Sequence, residues 1–272
     1  MPPVTASHGR DIHTRAAATP PGELVARLRA AGCVFAEEEA RVLVTSARSP
    51  AELTALLAAR IEGVPLEHVV GWVSFCGLRI HVRRGVFVPR RRTEALAREA
   101  IASVRPGAVV LDLCCGCGAL GAAVRAAVPD VELHAADIDP PAVACTRQNI
   151  GAGRAYCGDL YAPLPGSLRG RVDVLVANAP YVPSGSIALM PPEAREHEPL
   201  AALDGGPDGL DLQRRVIAGA GDWLAPGGRL LIETSERQAS GTAAEFVRHG
   251  LTPRIVHSAE HDGTVVAGTP SR

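Results

Sequence analysis

The chain has 272 residues, 47% of them hydrophobic and 21% charged, which provides for a packed core and excludes wholesale disorder. At roughly 150 residues per domain it holds about two units. All 28 positive charges are arginine, against 29 acids. Lysine chemistry, including Schiff bases and phosphate-loop lysines, is therefore excluded, and the near-neutral sum argues against a whole-molecule nucleic-acid binder. No apolar run approaches 18 residues, and no leader-like start is present, so no membrane partner is predicted. The expectation is a soluble, cytoplasmic, monomeric protein whose seven cysteines are mostly free.

Residues 1–20 mix Pro, Ser, Thr, His and Arg without periodicity, which predicts a disordered arm. From Glu23 the pattern turns helical, with Leu24, Val25, Leu28 and Ala31 on one face. Glu37–Ala47 and Ala51–Ile61 repeat that spacing, and Gly32 and Ser49-Pro50 punctuate it. Trp72–Phe75 and Leu78–Val82, joined by Cys76-Gly77, predict a hairpin. Residues 21–85 are thus expected as a small helical domain closed by a β element.

Residues 86–272 follow another rhythm. Strand Ala108–Leu113 leads through a Gly-rich loop to helix 119–127. Strand Val131–Asp137, helix 140–150 and strand Val172–Ala177 follow. Helix 210–224 is separated by Pro226-Gly227-Gly228 from strand Arg229–Glu233, and helix 238–249 precedes strands 252–257 and 263–268. Alternating strands and helices predict an α/β fold with a doubly wound, mostly parallel sheet. The closing pair, with no helix between, predicts an antiparallel edge strand. Ligands should sit beyond the carboxyl ends of the strands.

Three motifs carry chemistry. In the first, Asp112 ends a strand and Cys114-Cys115-Gly116-Cys117-Gly118 forms the loop after it. Gly116, Gly118 and Gly121 match G-x-G-x-x-G, which suits NAD or S-adenosylmethionine (SAM). A carboxylate at Asp112 opposes a pyrophosphate but favours the ammonium and sulfonium of SAM. In the second, Asp137 stands at the tip of the next strand, placed to accept both ribose hydroxyls of either cofactor. Asp139 reads as a helix N-cap. Asp159 and Leu160, after a third strand between helix 140–150 and Val172–Ala177, are candidates for the adenine border.

The third motif is Asn178-Ala179-Pro180-Tyr181, just past the fourth strand. A planar amine is a poor nucleophile because its lone pair is delocalised. The Asn178 oxygen and the Ala179 backbone carbonyl could accept its two N–H groups and aim the nitrogen at a methyl donor. Pro180 stiffens the loop, and Tyr181 is expected to stack on the planar group.

With these residues the chain resembles the protein N5-glutamine methyltransferase family (the HemK type), which methylates a glutamine of peptide-chain release factors. The resemblance covers nearly all of residues 22–270. It rests on the helical N-terminal part, the run Val88–Glu94, the Asp112 loop, Asp137 and Asn178–Tyr181. The acidic run Glu198–Gly206 with Asp208-Gly209-Leu210, and Pro226–Glu233, complete it. It implies a class I SAM-dependent methyltransferase, Rossmann-like, with a mostly parallel seven-stranded sheet, preceded by a helical substrate-docking domain. It implies SAM as cofactor, held by Asp112, Cys114, Cys115, Gly116, Cys117, Gly118, Asp137, Asp159, Leu160 and Asn178. It also implies catalysis by Asn178, Ala179, Pro180 and Tyr181.

Departures from the family pattern mark a diverged sister branch. The usual Pro-Arg-Pro-Glu-Thr-Glu reads Pro89-Arg90-Arg91-Arg92-Thr93-Glu94 here, the first loop glycine is Cys114, and the first proline of the catalytic motif is Ala179. The alternatives are an amino-methyltransferase for an exocyclic base nitrogen and an NAD-dependent oxidoreductase. Cys114, Cys115 and Cys117 share one tight loop without a second ligand pair, so no metal site is predicted; a redox role is a lesser expectation. Residues 79–92 hold six arginines and no acid, a candidate dock for an anionic partner, whereas 193–211 carry six acids against Arg195.

Overall fold

In the computed structural model the described residues are 22–151 and 154–271. The arm expected over residues 1–20 lies outside them. The described residues divide into two compact units, with the boundary between Val70 and Gly71.

The first unit is helical: α1 (Gly22–Ala30), α2 (Ala36–Ser46), α3 (Pro50–Ile61) and the short α4 (Leu66–Val70). The apolar stripes read from the sequence meet in one core of Leu24, Leu28, Ala40, Leu43 and Leu57. Helix α3 starts as its sequence dictates. Ser49 accepts the Glu52 N–H, and Pro50 takes the first turn, where no donor is needed. A buried ion pair, Arg60 Nε to Glu39 Oε2 at 2.6 Å, ties α3 to α2.

The second unit opens with the hairpin β1 (Trp72–Phe75) and β2 (Leu78–His81). Its turn residues Cys76 and Gly77 both have positive φ, the geometry of a tight two-residue hairpin. The hairpin was expected to close the helical domain, with a boundary at 85/86. The division falls instead at Val70/Gly71. The reason is packing: Val73, Phe75 and Ile80 bury themselves in the core of the second unit. Asn149 also clamps His81, accepting its N–H at 2.9 Å and donating to its carbonyl at 2.8 Å.

Helix α5 (Glu94–Ser103) follows, then β3 (Val109–Leu113), α6 (Ala119–Ala127), β4 (Glu132–Asp137), α7 (Pro140–Ile150) and β5 (Ala155–Cys157). The chain continues through β6 (Val172–Ala177), α8 (Pro192–His197), α9 (Asp211–Ala220), β7 (Leu224–Thr234), α10 (Ala239–Arg248), β8 (Leu251–Ser258) and β9 (Gly263–Pro270). The sequence reading contains no helix at α5, although Ala95, Leu96, Ala97 and Ala100 bury a helical face there. Strand β7 also begins earlier than expected. Pro226-Gly227-Gly228 lies within it, where the pairing with β6 shifts register between Val172 and Val174.

Among the described residues one sheet has seven strands in the order β5-β4-β3-β6-β7-β9-β8. Pairings from β5 to β7 are parallel, and β9 runs antiparallel to both β7 and β8. Alternate strand residues feed opposite layers. Val110 packs with α5, α6 and α7, while Leu111 and Leu113 pack with α9 and α10. Strand order reverses between β3 and β6, and the crevice beyond their carboxyl ends is where such a sheet takes a ligand.

Candidate active site

A cavity of about 870 Å³ opens at that switch point. Its lining comes from the turns after β3, β4, β5 and β6 and from the run between α8 and α9. Of the expected site residues, Cys114, Gly116, Asp137, Asp159, Leu160, Asn178 and Pro180 line it.

The β3 turn is shaped by short residues. Cys114 has φ of 55° and Gly116 the same, so the chain is left-handed twice within three residues. Gly118, at φ 79°, caps α6 so tightly that a Cβ there would stand 3.0 Å from the Thr146 side chain. Burial pushes the thiols of Cys114, Cys115 and Cys117 up, so they stay protonated. Such thiols lack the thiolate character of redox sensors. Cys115 spends its thiol on Thr146, at 3.3 Å. Cys115, Cys117 and Gly118 are buried behind the loop rather than facing the cavity.

Asp112 also lies under the loop. It is fully buried, its Oδ2 accepts the Gly121 N–H at 3.0 Å, and its Oδ1 has no hydrogen-bond partner among the described residues. Burial raises its pKa to about 7. Its direct contact is with the first turn of α6, through Gly121, and it does not itself line the cavity.

Asp137 is placed as expected, at the carboxyl end of β4. Its Oδ2 accepts the Gly116 N–H at 2.8 Å and its Oδ1 the Asp139 N–H at 2.9 Å. Burial raises its pKa, against the pull of these N–H groups. Its oxygens keep lone pairs for further donors. Beside it Ile138 is 60% exposed, an apolar side chain on the cavity wall. The sequence reading passed over it, though an isoleucine between two aspartates in a turn is itself a signal. Asp159 is tied across the rim to Arg215 at 2.6 Å.

Asn178 follows β6, whose Val174–Ala177 are fully buried and hold the turn rigid. Its Nδ2 donates to Thr93 Oγ1 at 3.2 Å. With the nitrogen engaged there, Oδ1 is the end left for the cavity. Ala179 is fully buried, between two residues, Asn178 and Pro180, that line the cavity. Tyr181 is anchored at its hydroxyl. It does not line the cavity; its hydroxyl donates to Glu233 Oε1 at 3.1 Å, and the Arg92 guanidinium lies 5.8 Å from its ring centre. Burial, then the Glu233 charge, drives its phenol pKa up. The hydroxyl is thus fixed by a buried carboxylate.

The segment beyond is locked to this turn. Gln238 Nε2 donates to the carbonyls of Tyr181 and Asp208, both at 2.9 Å. Gly209, at φ 78°, leaves no room for a Cβ, which would collide with Gln238 Nε2 and the Tyr181 carbonyl. Three of the six arginines of 79–92 are engaged. Arg79 covers Trp72, Arg90 pairs with the buried Glu198 at 2.6 Å, and Arg92 stands 3.6 Å from Glu233. Arg83, Arg84 and Arg91 are exposed.

A family model described as "Methyltransferase small domain" matches residues 78–190. A release factor glutamine methyltransferase of Geobacter sulfurreducens is 36% identical over 210 residues, spanning 75% of this chain and 73% of that protein. One of Mycolicibacterium smegmatis is 38% identical over 214 residues, spanning 77% and 74%. A solved methyltransferase of Pyrococcus furiosus superposes with a TM-score of 0.54 at 16% identity, over 72% of this chain and 90% of that one, a likeness of fold. These similarities favour methyl transfer over the nicotinamide alternative.

Proposed function

This chain belongs to the release factor glutamine methyltransferase family, and we propose on that premise that it methylates the side-chain amide nitrogen of a glutamine in a peptide-chain release factor. The cofactor is SAM. The observation that carries the reading is the Asn178 amide, anchored through its nitrogen to Thr93 at the mouth of the cavity.

The cavity suits a nucleoside cofactor. Asp137 would hold the ribose hydroxyls, Ile138 and Leu160 the adenine, and the Gly116 backbone the part between. SAM supplies a methyl carbon made electrophilic by its sulfonium. The chain's own part is orientation. Asn178 Oδ1 accepts an N–H of the glutamine amide and turns the nitrogen's weak lone pair toward that carbon. On transfer the amide nitrogen would gain the methyl carbon as the carbon–sulfur bond breaks, the electron pair staying on sulfur as a neutral thioether; the proton that the nitrogen then sheds would pass to water, so no strong base is needed to start the exchange. Ala179, fully buried, and Pro180 fix the backbone from which Asn178 projects.

The same proposal takes the helical unit as the substrate dock and Arg83, Arg84 and Arg91 as contacts for an anionic partner face. It takes the chain to be a cytoplasmic monomer. Among the described residues no helix is long and apolar enough to cross a membrane. The test is labelling of a cell extract with tritiated SAM. Label that survives nuclease and is lost to protease is expected; label lost to nuclease would transfer the reading to a nucleic-acid base.

A further inference from the structure

An asparagine amide can turn either end to a ligand, and only its oxygen accepts from an N–H. What selects the end here is Thr93, which takes the Asn178 nitrogen at 3.2 Å. Thr93 is 3% exposed and stands at the N-cap of α5, where a threonine ordinarily caps its own helix. Its side chain makes no capping bond. The hydroxyl is committed instead to a residue 85 positions away.

The charge acting with Thr93 is Glu233, 1% exposed, whose pKa the Thr93 hydroxyl pulls down. Glu233 Oε1 accepts the Tyr181 hydroxyl at 3.1 Å, and the Arg92 guanidinium is 3.6 Å away. Burial raises the Glu233 pKa; Thr93, Arg92 and Tyr181, in that order, pull it back. Glu233 Oε2 has no well-formed hydrogen bond among the described residues, which leaves an acceptor for the Thr93 proton.

We propose that Thr93, backed by Glu233, is the positioning residue that holds the Asn178 amide with its oxygen toward the substrate nitrogen. The polarity runs in one direction. The Glu233 carboxylate draws the Thr93 proton, so Thr93 Oγ1 is left as an acceptor and selects the Asn178 nitrogen. Each bond polarises the next, and the Asn178 oxygen gains negative charge. With the Thr93 proton reversed, Asn178 would flip and set its N–H donors against those of the glutamine. Arg92 offsets the buried carboxylate, and Tyr181 braces it. The inference deepens the reading of Asn178 given above and depends on it.

The test uses the full chain, a purified bacterial release factor and tritiated SAM. Thr93→Val keeps shape and removes the acceptor. It is expected to lower kcat at least about tenfold, equivalent to roughly 1.4 kcal/mol in the barrier, with the Kd for SAM and the melting temperature unchanged. Thr93→Ser is expected to restore kcat to within about threefold, since it restores the hydroxyl. The side-chain NH2 of Asn178, identified by its loss from the NMR spectrum of Asn178→Ala, should exchange slowly in the wild type and in Thr93→Ser and fast in Thr93→Val. If Thr93→Val does not fold, Thr93→Ala is read by the same criteria. A Thr93→Val chain with wild-type kcat, beside an inactive Asn178→Ala, overturns the inference and leaves the role of Asn178 standing. An active Asn178→Ala overturns both.

Discussion

Replacing Asp112 by asparagine should make the protein more stable, and more so as pH rises. The carboxyl is fully buried, and burial raises its pKa from 3.8 to about 7. In the unfolded chain it titrates near its ordinary value, so from about pH 4 to pH 7 the native state binds the proton that the unfolded state has lost. Stability then falls as pH rises through that window. About three units correspond to roughly 4 kcal/mol in total. Of this, about 1.5 kcal/mol is already incurred by pH 5, and about 2.5 kcal/mol more is added by pH 8. The asparagine side chain would keep an oxygen for the Gly121 N–H and shed the charge. Urea unfolding of both chains at pH 5 and pH 8 measures the difference, since groups common to both cancel. An advantage for Asp112→Asn that grows by about 2.5 kcal/mol is expected. An advantage that stays flat with pH would show that the carboxylate is not desolvated and refute the reasoning.

In the helical unit, Arg60→Ala leaves Glu39 buried without its ion partner and should destabilise the protein by about 3–5 kcal/mol, whereas a well-packed apolar pair at both positions should come out near neutral; denaturant curves of the single and double variants decide. Cys114→Gly should raise stability by about 1 kcal/mol, because the left-handed backbone there costs a residue with a Cβ; an unchanged melting temperature would contradict that. Asp137→Ala should weaken SAM binding by roughly tenfold to a hundredfold through loss of charge-assisted hydrogen bonds; calorimetric titration measures it, and an unchanged Kd counts against the ribose role.

The scaffold is legible in the sequence where a local pattern is decisive. The apolar run Val174–Ala177 of β6 followed by Asn178 and Pro180 marks a buried strand opening into a turn. Asp137, 25 residues after Asp112, marks the second strand tip. Reading fails where the deciding partner is remote. Tyr181 has a ring suited to stacking, but nothing local tells that its hydroxyl is taken by Glu233, 52 residues on. Thr93 looks like the end of an arginine run, because nothing local tells that its hydroxyl reaches Asn178. The hairpin groups by sequence with the helices it follows, although its buried face complements α6 and α7. Helix α5 is hidden beside the charged run, though its Ala and Leu spacing is helical. Asp112 reads as a ligand because strand-end acids often are. Its exposure depends on how α6 starts, and Gly121 draws it inward.

The central claim is that Asn178 orients a glutamine amide for methylation while contributing little to holding SAM. Tandem mass spectrometry of a release factor after single turnovers tests it, comparing the wild type with Asn178→Ala at saturating SAM. The expected result is one methyl group on a glutamine side-chain nitrogen, formed at least about a hundredfold more slowly by Asn178→Ala, with the Kd for SAM unchanged. A methyl group on any other kind of side chain, or equal rates from the two chains, would contradict the account.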